Sequence, residues 1–438
     1  MSARPGNQSE VAIAVDPNDP ANVVVVSNTT IRALFVGVSH DGGATWTRRL
    51  IATGHALGRA CCDPSMSWDE QGNLFLSWLD DQRLDVIPVA ISADAGDSWE
   101  LLTFLHAPPP KRPATVSRPR TTRQSESQGS FVDQPTIVAG LGMVWLVWTN
   151  GSIQAAGARV FGTGDVGRFH RTQDVPGTRG CSFGDIQIGP VGQVVQVCTR
   201  DRSRHGDYAH TAMRVNVDPD GLGPAGFGGA HVPGTTNVRQ FEPIGPQLDR
   251  TVDPETGLAW DRSGGPFTGR LYLVYTDERP NDSDRTDIWV RSSDDGALTW
   301  SAPVRVNDDR MNRRSQFLPR IAIDQATGAI AVGFHDARRD DGLGGIGDTD
   351  GIPNDDAMYF MAFSTDGGAS FGPNIQVAEA ASNAAAAQNG IGYGDYTGLA
   401  FTARVAHPAW ADNSNSTADN PDGALSAFDV YSASVPLS

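Results

Sequence analysis

Six residues able to carry or share charge recur at wide intervals in this chain: Glu10, Asp63, Gln134, Asp185, Glu242 and Asp395. Arginines stand at similar intervals, with Arg59, Arg179 and Arg239 a few residues ahead of three of these positions and Arg314 spaced in the same way. The planar fork of arginine grips a carboxylate or sulfate through two parallel bonds, so convergence of these side chains would make an anion pocket within an acidic protein. A feature that recurs this often also suits a structural part, in which each carboxylate caps a strand end or pairs with a nearby arginine.

A second oxygen-rich segment, Asp-Thr-Asp-Gly-Ile-Pro-Asn-Asp-Asp at 348–356, gathers hard donors around a glycine turn. Asp348, Asp350 and Asn354 would suit a structural calcium ion, without the spacing of an EF-hand; a solvated acidic loop is the alternative. No cofactor is required by any of these groups. Lys111 is the only lysine, which nearly excludes Schiff-base and phosphate-loop chemistry. The four cysteines, Cys61, Cys62, Cys181 and Cys198, lack a C-x-x-C spacing. Adjacent cysteines do not readily share a relaxed bridge, so inert or singly paired thiols are expected rather than a soft-metal site.

The elements that must position these groups are set by an internal repeat. Ser39-His-Asp-Gly-Gly-Ala-Thr-Trp46 recurs at 92–99, 293–300 and 364–371, with Ala297 in place of one glycine, and weaker traces lie at 162–169 and 218–227. The pattern S-x-D-x-G-x-S/T-W/F is an Asp box, in which Ser and Asp side chains bond turn amides, Gly supplies positive φ and the aromatic ring packs beneath the loop. Apolar runs ending in a polar residue recur with it at 22–28, 74–80, 144–150, 193–199, 271–277, 329–336 and 405–412. β-branched and aromatic residues between turn signals predict strands, and no stretch keeps a helical period. Seven such units predict an all-β protein, a single seven-bladed β-propeller over 1–438, with six blades as the alternative and insertions at about 106–131 and 336–356. Residues near the N-terminus are expected to complete the last unit.

Asp boxes occupy the turn between third and fourth strands, which assigns the loops between second and third strands, and those between blades, to the opposite face. That face collects the acids and arginines named above.

The Asp boxes resemble those of the sialidase superfamily, and so does Tyr396-Thr-Gly-Leu399, which is similar to the Y-S-x-L of the nucleophile in the last blade. The resemblance implies a glycoside hydrolase acting on a terminal acidic sugar. Tyr396 would be the nucleophile, Glu242 its base and Asp81 the acid/base, while Arg59, Arg279 and Arg338 would clamp the carboxylate and His335 would contact the substrate. The chain departs from the family in lacking F-R-I-P near its start, so that Arg59 is only a positional stand-in. Two other readings stay open. One is a polysaccharide lyase using His335, or His205 with Tyr208, to abstract a proton next to a carboxylate; the other is a propeller that only binds a glycan or protein.

A net charge of −17 argues against nucleic acid or anionic membrane as partner. No apolar run approaches the ~18 residues that cross a bilayer, so membrane insertion is not expected. No signal peptide is visible after Met1, yet propellers of this type are usually exported, so a secreted or extracytoplasmic protein is expected.

Overall fold

The computed structural model describes residues 1–106, 132–170, 172–201, 210–280, 285–309, 314–388 and 391–437. The insertion expected at 106–131 lies, beyond His106, outside the described residues, as do His205 and Tyr208.

The apolar runs form the second strands of seven antiparallel sheets: Val23–Asn28, Leu74–Asp80, Met143–Thr149, Val194–Asp201, Leu271–Glu278, Ile330–Asp336 and Val405–Asp412. They are continuous rather than alternating because a blade is covered on both faces by its neighbours, so both sides of the strand are buried. Apolar clusters accordingly fill the seams: Val24, Leu76 and Trp78 between blades 1 and 2, Phe75, Ile87 and Trp148 between blades 2 and 3, and Val195, Met213 and Tyr275 between blades 4 and 5.

Each first strand packs against the first strand of the next blade, and Gly398–Thr402 of blade 7 returns to Ala12–Val15 of blade 1. The chain is therefore a closed seven-bladed β-propeller, which removes most free sheet edges. Closure uses the N-terminal residues as expected. Ser2 and Gln8 donate their amides to the carbonyls of Val430 and Phe428 at 3.2 and 2.8 Å, so residues 2–8 line the outer side of blade 7.

One expected unit is built differently. Glu242 does not open blade 5; it begins a separate hairpin, Glu242–Ile244 paired with Gln247–Val252, inserted between blades 4 and 5. The inner strand of blade 5 is Gly257–Trp260.

All four recurring turns join third and fourth strands, on the lower face. In the first, Ser39 Oγ accepts the Gly43 amide at 2.8 Å, Asp41 accepts the Thr45 amide at 2.8 Å, and Trp46 Nε1 donates to the Gly43 carbonyl at 2.9 Å. The connections that carry the acids and arginines lie on the upper face.

Candidate functional site

Each inner strand begins at the upper mouth of the central channel. Glu10, Asp63, Gln134, Glu255 and Leu318 occupy equivalent entries, with φ of 54, 54, 48, 49 and 51°. Few non-glycine residues adopt this left-handed conformation. Its repetition shows that the architecture fixes the position, while the residue type sets the chemistry there.

Some of these carboxylates stitch blades together. Glu10 Oε2 accepts the Asn28 side-chain amide at 2.6 Å and the Asp63 backbone amide at 3.3 Å; Asp63 Oδ2 accepts the Gln134 amide at 3.2 Å; Asp185 Oδ2 accepts the Leu258 amide at 2.8 Å.

Glu10 and Asp63 have a second environment. With Asp133, Asp395, Arg32 and Arg250 they line a cleft of about 710 Å³ on the upper face, flanked by the exposed ring of Phe241. Arg250 comes from the extra hairpin. Its Nε donates to Asp395 Oδ1 at 2.8 Å, and its Nη2 donates both to Asp395 Oδ2 and, at 3.0 Å, to Glu10 Oε1. The hairpin is anchored by Gln247, which accepts the Tyr393 amide at 2.9 Å and donates to the Gly394 carbonyl at 3.0 Å.

Burial and crowding of like charge dominate the electrostatics. Burial, reinforced by Glu10 and opposed by Arg250, raises the Asp395 carboxyl to about 6. Asp63 is pushed well above the usual carboxylate range by burial and then by Glu10, Asp133 and Asp395; Asp133 is raised mainly by burial. The Tyr396 phenol is also raised, by burial and then by Asp63 and Glu10, and its hydroxyl donates to the Pro64 carbonyl at 3.3 Å. Tyr396 lines the axial cavity below, about 300 Å³, together with Glu255 and Arg320.

Of the residues anticipated from sequence, Tyr396 thus stands beside the acid cluster, but its neighbours there are Glu10, Asp63 and Asp395. Glu242 is instead held through both oxygens by Arg239, at 2.5 and 2.9 Å. Asp81 is paired with Arg59 and, at 3.2 Å, with Arg32, whereas its neighbour Asp80 lines the cleft. Arg338 is taken up by Asp336 at 2.7 Å and by Asp308 and Asn374. Arg279 is exposed, without a partner among the described residues. The expected clamp of Arg59, Arg279 and Arg338 is therefore not assembled; among the described residues the arginines of the cleft are Arg32 and Arg250.

His335 does not reach the cleft. It is 1% exposed, stacked on Phe317 at 5.2 Å and packed on Tyr393 at 4.5 Å, and burial lowers it to about 3, so the ring is neutral. In the acidic loop, Asn354 turns to Ser315, whose amide it accepts at 2.8 Å, and Asp340 joins Asp348 in its place. The adjacent cysteines are bonded to each other after all: Cys61 with Cys62 on the cleft wall, and Cys181 with Cys198 in blade 4.

Sequence reasoning missed Arg250, Asp133 and Glu255. Glu255 has a legible signal: Glu10, Asp63 and Glu255 each stand six residues before the aspartate that follows their inner strand, Asp16, Asp69 and Asp261. Arg250 has none, because it belongs to no repeat.

No protein-family model matches the chain, and no curated protein matches it in sequence. Solved structures do match in fold. A lectin of Burkholderia pseudomallei is 11% identical, over 98% of this chain and 96% of the lectin, with a TM-score of 0.55. An α-L-arabinofuranosidase of Fusarium graminearum in complex with an iminosugar inhibitor is 12% identical over 76% and 89% of the two chains, with a TM-score of 0.46. A Hadza microbial sialidase is 13% identical over 94% and 76%, with a TM-score of 0.43. At these identities the likeness is one of fold: the chain shares the β-propeller architecture of proteins that include glycosidases and a lectin.

Proposed function

We propose that this propeller is a glycan-active enzyme, a glycoside hydrolase whose cleft takes a neutral sugar, with Asp395 as its acid/base and Glu10 as its nucleophile. The observation that carries the proposal is the sharing of one guanidinium nitrogen, Arg250 Nη2, by both carboxylates. Two oxygens on one nitrogen lie closer together than the roughly 6.5–9.5 Å used by inverting glycosidases, which favours retention of configuration. Asp395, raised to about 6, keeps a proton in mildly acidic solution and can protonate the leaving oxygen. Glu10, fixed by Asn28 and Arg250, faces the developing positive charge on the sugar.

A neutral sugar is favoured over an acidic one by charge. Glu10, Asp63, Asp80, Asp133, Asp249 and Asp395 line the cleft, while Arg32 and Arg250 are already bound to carboxylates. Among the described residues no guanidinium there is left to grip a sugar carboxylate. The likeness to glycosidase and lectin propellers and the exposed Phe241 ring, on which a sugar face can stack, support a carbohydrate ligand. Two disulfides suit an oxidising compartment, which supports export.

Turnover of a panel of neutral and sialylated aryl glycosides tests the proposal. Asp395→Asn and Glu10→Gln are expected to lose activity by about 10²–10⁴-fold with binding retained, whereas Tyr396→Phe loses less than about tenfold. Loss in Tyr396→Phe comparable to that in Asp395→Asn, on a sialoside, would replace this reading with a tyrosine-nucleophile sialidase. Binding of glycans without turnover of any would make the chain a lectin-like propeller.

A further inference from the structure

The loop between the second and third strands of blade 6 carries a problem of charge that its own residues do not solve. One carboxylate oxygen from each of Asp340, Asp348 and Asp356 lies within 4.8 Å of the others, and Asp350, Asp355 and Asp356 form a second such group. Asp340 is 1% exposed and Asp356 fully buried. Buried carboxylates are ordinarily paired with a cation or a metal, because the uncompensated charge is costly. Here no arginine pairs with any of the five carboxylates among the described residues. Arg314 spends its Nε on the Asp340 backbone carbonyl, and Arg338 is turned to Asp308, Asp336 and Asn374.

The oxygens are nevertheless held in place. Asp348 accepts amides from Gly344 and Gly351, both at 2.6 Å, and Asp356 accepts the Thr349 hydroxyl at 3.0 Å. Asp340 Oδ2 accepts the amides of Asp355 and Asp356 at 2.7 and 2.9 Å. Its other oxygen, Oδ1, is sealed from solvent and meets no donor. A buried carboxylate with one unpartnered oxygen, belonging to a group of preoriented carboxylates, is the arrangement expected where a cation belongs. A loop of several carboxylates suits the six to eight flexible oxygen contacts of Ca²⁺ better than the strict octahedron of Mg²⁺.

We infer that this loop is a calcium site whose protein ligands are Asp340, Asp348 and Asp356, with Asp350 and Asp355 completing a second layer of carboxylates around it. Calcium binding here does not depend on the chemistry of the cleft. Asp340, eight residues or more upstream of the rest of the cluster, ties the loop's entry to its exit through the ion.

The test is calorimetric titration of the full chain, stripped with EDTA, with CaCl₂ and separately with MgCl₂, together with thermal melting. Saturable calcium binding is expected, with a melting temperature raised by about 3 °C at a hundredfold excess over Kd, and a smaller response to magnesium. Asp340→Asn and Asp348→Asn should lose the calcium-dependent rise. In EDTA, Asp340→Asn should melt no lower than the parent, since a repelling charge has gone. Absence of a calcium-dependent shift in the parent chain, or an undiminished shift in both variants, would overturn the inference, and the parent chain's titration decides it even if a variant fails to fold.

Discussion

The two faces of the ring use the same residue in opposite ways. On the lower face, Asp41 and Asp295 are surrounded by donors from their own turn, above all the hydroxyls of Thr45 and Thr299, and both are held down to about 2. On the upper face, Asp395, Asp63 and Asp133 are crowded together, wholly or partly buried, and pushed up. A carboxylate that closes its own account of hydrogen bonds is part of the frame. One left short of donors depends on a proton, a cation or a ligand, and that dependence separates architecture from chemistry among the recurring aspartates. A decayed turn makes the same point on the lower face. At 218–220 an aspartate stands where the serine belongs, and Asp218, raised by burial, reaches about 6.

Removing Arg250 should disturb the comparison most. Arg250→Gln takes the guanidinium from Glu10 and Asp395; a loss of about 2 kcal/mol is expected, discounted from a fully buried pair because Arg250 is partly exposed. The alkaline limb of the pH–activity profile, where the acid loses its proton, should move to higher pH, since Asp395 loses the positive charge that opposes its rise. Ser364→Ala on the lower face removes the acceptor of the Gly368 amide and should cost about 1 kcal/mol with turnover unchanged. Denaturant titrations and pH profiles of the two variants measure both; an unmoved alkaline limb in Arg250→Gln would remove Asp395 as the acid.

The faces should also answer pH in opposite directions. Upper-face carboxyls bind protons more tightly when folded, so their contribution is complete below the ordinary value of 3.8 and is lost as pH climbs through about 6 for Asp395. Lower-face carboxyls bind protons less tightly when folded, so theirs is present above 3.8 and is lost as pH falls toward about 2. Urea midpoints measured in EDTA should therefore peak near about pH 4 and decline toward neutrality. A midpoint that climbs steadily from pH 4 to 7 would contradict the upper-face assignment.

The smallest effect sharpens the frame alone. Ala95 and Ala297 sit at φ 59 and 72° where other copies of the turn have glycine. Ala95→Gly and Ala297→Gly are each expected to stabilise by about 0.5–1 kcal/mol in equilibrium unfolding, with activity unchanged.

The sequence made the frame legible because the frame repeats. Runs buried on two sides read as strands wherever they occur, and the turn pattern set which loops share a face. The cleft was legible only in part. Glu10, Asp63, Asp395 and Tyr396 are repeat positions and could be found by counting, whereas Arg250 sits on a hairpin outside the repeat, and that same hairpin displaced Glu242 from the blade it was expected to open. Which arginines would be spent on carboxylates is a matter of distance between blades, so Arg59 and Arg338 looked available in one dimension and are occupied in three. The acidic loop was recognisable by its oxygens, but Asp340 reaches the cluster from the far end of the loop.

The strap formed by residues 2–8 has a consequence for how the molecule is made. Val430 donates its amide to Ser2 Oγ across 428 positions of sequence, so a segment made ahead of blade 1 finds its place only after the strands of blade 7. Contacts so distant in sequence form slowly. Until the last strands of blade 7 emerge, blade 1 has an uncovered flank and the ring stays open, with Val11, Ile13 and Phe35 awaiting Ala409 and Val430. Closure is then a late, all-or-none event, and the newly made chain spends its most aggregation-prone interval as an open arc of nearly finished blades.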